Sequence, residues 1–207
     1  MTDHSPRGTA TRRRVLAGLA TAGLAGCSST GGSGSGTRTD GQADTAGDAT
    51  GLSLTSPAID DGGTVPTRYT CDGADVSPPL RVDGVPASAG SLAVVVDDPD
   101  AGEEPFVHWL LWNLPADTGE IPVDVPREPT VGGLGGAAQG TNDFGEVGYR
   151  GPCPPAGDAP HTYRFMLHVL DGPVDVEPGA RRAALVPALE SRRLGATTIA
   201  AEYSRDG

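Results

Sequence analysis

Four apolar runs of eight to ten residues, each cut short by proline, glycine or aspartate, leave this chain few ways to fold. SLAVVVDD (91–98) is a β-branched run of the kind that fills a buried strand. VHWLLWNL (107–114) is a second strand candidate. In TYRFMLHVLD (162–171), Tyr163, Phe165, Leu167 and Val169 fall on one face of a third. TTIAAEYS (197–204) is expected as the last strand. Turn signals stand between them: DDGG (60–63), SPP (77–79) and GVP (84–86). Only GARRAALVPALESRRLG (179–195) has a helical composition. Pro187 is expected to kink or split that helix, and Gly195 to take its C′ position. The 31 glycines and 19 prolines approach a disordered composition. However, many glycines lie in one tract before residue 50, and most prolines punctuate the apolar runs. The expected fold of residues 51–207 is therefore all-β, a sandwich of two antiparallel sheets with a small C-terminal helical insertion. That length is enough for one substantial core.

The first 50 residues are of another kind. Residues 11–27 read TRRRVLAGLATAGLAGC, three arginines before an apolar run from Val15 to Ala25. The run is shorter than the roughly 20 residues of a membrane span. It suits the core of a signal peptide behind a basic region. The adjacent arginines resemble a twin-arginine export signal, and LAGC (24–27) resembles a lipoprotein box. These resemblances imply that residues 1–26 are removed and that Cys27 carries lipid. The protein would be exported and held on the outer face of the cell membrane by that anchor alone. A plain secretory signal or an uncleaved helix is the alternative. Residues 28–50 hold no apolar side chain larger than alanine. With Cys27 they read as a lipidated start and a flexible tether, with a reach of roughly 25 Å.

The formal net charge is −12, and there is no lysine among the 15 cations. Such a surface resembles that of proteins from extreme halophiles; a codon bias toward arginine is the simpler explanation. Its physical consequence is the same in either case. Strong negative charge keeps the chain soluble and repels nucleic acid, which is not expected as a partner.

The polar residues gather at strand ends. Strand 91–98 runs into DDPDAGEEP (97–105), where Pro99 lacks an N–H and ends the ladder. His108 follows ten residues after Asp98, a loop length that could return it beside the carboxylate and fix its tautomer. A solvated acidic loop with a core-edge histidine is the alternative. His161 and Tyr163 share one side of the strand start and make a small donor cluster suited to an anion. Before them, GPCPPAGDAPHTY (151–163) packs four prolines and two glycines into thirteen residues. Proline fixes φ, glycine permits close approach, and Pro154-Pro155 would form a rigid apolar wall.

DDPDA…HW followed by GYRGPCPPAGDAPHTYRF resembles the phosphatidylethanolamine-binding protein family, in its bacterial and archaeal Raf-kinase-inhibitor-like branch. TCDGADVSPPLRVDGVP (70–86), GTNDFGEVGY (140–149) and LGATTIAAEYS (194–204) extend the resemblance over 51–207. It implies a two-sheet sandwich with a small cavity near one end. Asp98, His108, Pro154, Pro155, His161 and Tyr163 match the residues that line the cavity in that family, which accepts small anions and phosphorylated head groups. Asp98 would orient His108 or pair with a ligand ammonium, and His161 and Tyr163 would donate to phosphate oxygens. Gly102 stands where the family often has proline. Glu103 and Glu104 stand where an aromatic-rich approach is common, and are expected near the mouth.

Cys71 and Cys153 are the cysteines left after Cys27, and in an exported protein they read as a disulfide or as two buried thiols. No zinc-type spacing is present, and neither metal nor cofactor is expected. His168, in the other alternating set, is expected to be a packing residue. Three functions compete. The first is a non-enzymatic binding protein for a small anion or phosphorylated ligand. The second is a protein-interaction modulator, such as an inhibitor of a secreted protease, acting through loops around the cavity. The third is a weak hydrolase using Asp98 and His108.

Overall fold

Strand β4 (Ser91–Asp98) is buried at all eight positions because it lies inside a sheet that is covered on both faces. The computed structural model describes residues 51–206. The signal peptide, Cys27 and the tether fall outside the described residues. Around β4 the chain forms β1 (Ser53–Thr55), β2 (Gly63–Thr64), β3 (Leu80–Asp83), β5 (Phe106–Pro115), β6 (Glu120–Ile121) and β7 (Thr130–Val131). It continues with β8 (Ala137–Gln139), β9 (His161–Leu170), α1 (Arg182–Arg192) and β10 (Arg193–Tyr203). The large sheet has the order β2-β10-β9-β4-β5-β8-β7, and the small one β1-β3-β6. Pairing is antiparallel except at the edge, where β2 runs parallel to β10.

Two hydrophobic layers follow. Leu92, Val94 and Val96 of β4 meet Leu54, Leu80, Val82 and Ile121 of the small sheet in the core between the sheets. Ala93 and Val95 turn outward, into the layer that holds Leu185 and Leu189 of α1. Burying each of those leucines is worth roughly 1.5–3 kcal/mol, enough to hold a helix of eleven residues in place. The expected face of β9 is inward as read: Tyr163, Phe165, Leu167 and Val169 are all buried.

The helix differs from expectation. Pro187 lies inside one continuous α1 and does not split it. Both Pro187 and Ala183, whose carbonyl loses its partner, are exposed, so water can serve that carbonyl. Gly195 is not a helix cap, because the chain passes from Arg192 directly into β10. It follows instead a register irregularity in the pairing of β10 with β9. Among the described residues, no helix is long and apolar enough to cross a membrane.

Candidate functional site

One strand irregularity decides which side chains reach the end of the sandwich. Register between β4 and β5 slips between Val96 and Asp97, which pair with Trp109 and Val107. His108 is the extra residue. Val107 therefore packs in the outer layer while Trp109 packs in the core, although residues two apart in a regular strand share a face. His108 is buried at this step, 2% exposed. Its Nδ1 lies 2.8 Å from the carbonyl oxygen of Arg150, and the Arg150 amide donates back to the His108 carbonyl at 3.0 Å. A carbonyl only accepts, so Nδ1 carries the hydrogen and Nε2 is bare in the neutral ring. Burial pushes the His108 pKa down, outweighing the Arg150 carbonyl and the charge of Asp98.

At the end of β4 the two aspartates part. Asp97 holds Arg164 with two bonds of 2.8 and 2.9 Å. Asp98, 3% exposed, accepts from His161 Nδ1 at 2.8 Å through Oδ2 and from the Asp100 amide at 2.8 Å through Oδ1. The expected Asp98–His108 pair is therefore not formed. Asp98 orients His161, and His108 is oriented by backbone. The hydrolytic pair imagined from the ten-residue spacing is absent for the same reason. Asp100 in turn accepts the Thr162 amide at 2.7 Å, and that bond lowers its pKa.

The proline-rich stretch closes the other side. Gly151 passes so near the chain at Tyr69 that a Cβ there would overlap the Tyr69 carbonyl. Its amide donates to Asp75 at 2.7 Å, and Tyr149 Oη donates to the Tyr69 carbonyl at 2.7 Å. Cys153 is bonded to Cys71, which ties the wall to the loop after the turn Thr67–Tyr69. Pro154 and Pro155 follow as wall.

Together these elements enclose a cavity of about 300 Å³. Asp98, His108, Pro154, Pro155, His161 and Tyr163 all line it. Tyr163 is 1% exposed and its hydroxyl has no hydrogen-bond partner. Burial first, then the charge of Asp98, pushes the Tyr163 pKa well up, so the phenol keeps its proton. Asp98 lies near enough to this hydroxyl to add to the shift by a weak hydrogen-bonding interaction as well as by its charge, but the two fall outside the geometry of a formed hydrogen bond.

Sequence reasoning missed Phe106, Phe144, Asp100 and Asp158 as lining residues. Phe144 is exposed, packs edge-on against Phe106 at 4.9 Å and His108 at 5.3 Å, and sits under the Arg150 guanidinium at 5.3 Å. An aromatic inside the polar loop GTNDFGEVGY was the available signal. Glu103 and Glu104 do not line the cavity; Glu104 reaches toward Arg182 at 3.5 Å instead. The carboxylates at the cavity are Asp98, Asp100 and Asp158. Among the described residues, no cluster of three or more acidic, histidine or cysteine side chains is placed to hold a metal ion. His168 sits apart on the outward side of β9, half-buried, with its pKa lowered by burial.

The sequence profile of the family described as phosphatidylethanolamine-binding protein matches residues 55–204. The chain belongs to this family. A UPF0098 protein of Methanothermobacter thermautotrophicus is 44% identical over 154 residues, covering 74% of this chain and 99% of that protein. A Mycobacterium tuberculosis protein described as a lipoprotein, LppC, is 35% identical over 152 residues, 73% of this chain and 72% of that one. Among solved structures, Escherichia coli YbcL, titled a member of the mammalian PEBP family, is 34% identical with a TM-score of 0.70. That match covers 74% of this chain and 98% of YbcL. The two-sheet architecture with a short helix is thus that of phosphatidylethanolamine-binding proteins.

Proposed function

We propose that this member of the phosphatidylethanolamine-binding protein family is a non-enzymatic binding protein whose cavity takes a small anion or a phosphorylated head group. It is exported and lipid-anchored through Cys27. The observation that carries the reading is the buried Tyr163 hydroxyl, which lacks a partner in the wall of a cavity shared with two imidazoles. A buried donor left unsatisfied costs about 1–3 kcal/mol, and a ligand oxygen would relieve it. Both Asp98 oxygens already accept a bond within the protein, whereas Asp100 has one engaged, so a ligand ammonium is better served at Asp100 or Asp158 in the cavity wall. The lipoprotein description of the mycobacterial relative supports the anchor.

The test is titration with phosphate and with phosphoethanolamine in concentrated salt, following the histidine ring resonances by NMR. Saturable shifts of His108 and His161 with His168 unmoved are expected. If no ring moves with either ligand, the head-group reading is wrong, and inhibition of a secreted protease through the surrounding loops takes its place.

A further inference from the structure

The hydrogen-bonding inventory of the cavity is lopsided, and the lopsidedness selects among anions. Nδ1 of His108 is committed to the Arg150 carbonyl, so the neutral ring offers the cavity a lone pair at Nε2. Nδ1 of His161 is likewise committed, to Asp98. Asp98 has both oxygens occupied, and Asp100 has one. Pro154 and Pro155 contribute no N–H. Set against these acceptors is the Tyr163 hydroxyl, a donor without a partner.

We propose that the cavity selects hydrogen phosphate, an anion that itself carries a hydrogen at pH 7, over sulfate, an anion of similar shape and charge without one. The inference rests on the anion-pocket reading above and narrows it. Hydrogen phosphate can donate its P–OH to His108 Nε2 while another of its oxygens accepts from Tyr163. Sulfate presents only acceptors, so a lone pair of the ligand faces a lone pair of the ring. A site with a buried acceptor rejects a ligand that lacks the matching hydrogen, because the acceptor then stays desolvated and unpaired. Burial of His108 keeps the ring neutral near pH 7, where this applies.

The test compares two probes on the full-length protein at pH 7 and constant salt, read by the His108 and His161 ring resonances. They are inorganic phosphate and sulfate. Phosphate is expected to bind at least about tenfold tighter than sulfate. The variant His108→Gln places an amide N–H₂ near the position of Nε2 and is expected to bring sulfate within about threefold of phosphate. Equal affinity of wild-type protein for phosphate and sulfate would overturn the selection while leaving the anion pocket standing. Binding of neither would overturn both. The wild-type comparison decides even where the variant does not fold.

Discussion

Breaking the Cys71–Cys153 bond is a perturbation whose size follows from the chain. The two cysteines are 82 residues apart in sequence. In the chain-entropy description, removing a cross-link that closes a loop of that size returns about 15 cal/mol/K to the unfolded chain, or about 4.5 kcal/mol at 25 °C. This is a large share of the roughly 5–15 kcal/mol that stabilises a domain. Urea unfolding of the oxidised protein and of Cys71→Ala/Cys153→Ala, in the same concentrated salt, measures the difference. With a urea slope of about 2 kcal/mol/M, the midpoint falls by about 2 M. Reductant added to the wild-type protein should reproduce the variant. Because Cys153 stands in the cavity wall, the ring resonances of His108 and His161 should also move in the folded variant, and that of His168 should not. A loss of stability below about 1 kcal/mol, or a reductant without effect, would refute the reasoning.

The remaining predictions concern the site and its supports. Burial lowers the pKa of His108 and His168, so below about pH 6.5 the unfolded chain binds protons that the folded one does not. Stability should therefore be full above that pH and decline as pH falls from there toward the depressed folded values. A urea midpoint that stays flat between pH 7.5 and 5.5 would contradict this. Asp100, whose pKa is lowered, acts in a separate window: its contribution is present above about pH 4 and lost on further acidification. Asp98→Ala strands the His161 ring and the Asp100 amide and should cost about 2–4 kcal/mol, with the His161 Nδ1–H signal lost from its NMR spectrum. Asp97→Ala, which frees the partly exposed Arg164 on the other side of β4, should leave phosphate binding unchanged; weakened binding there would contradict the division of labour. Gly151→Ala drives a methyl into the backbone at Tyr69 and should cost more than about 2 kcal/mol by urea unfolding, against a near-neutral Gly102→Ala, where nothing lies nearby.

The sequence by itself determined three of the four long strands closely, the place of the fourth less so since β10 starts four residues early, and most of the site. β4 spans the eight residues of its apolar run, and β5 and β9 begin and end within one residue of theirs, because β-branched runs bounded by proline and glycine have few other uses. The six residues carried by the two linear motifs all reach one cavity, since each motif sits where a strand meets its loop. The pairing of those residues was decided only by the tertiary structure. Spacing along the chain matched Asp98 with His108, ten residues on, but Asp98 bonds His161, 63 residues away, across the pairing of β4 with β9. The register slip at His108 leaves that ring facing a carbonyl, and no period of two or 3.6 announces an extra residue in a strand. Phe144 joins the site from a loop whose sequence is polar, and Pro187 stays within its helix because it lies on the exposed side. Periodicity records which face a residue turns toward the core. Which groups meet there depends on strand pairing and on backbone partners contributed from far along the chain.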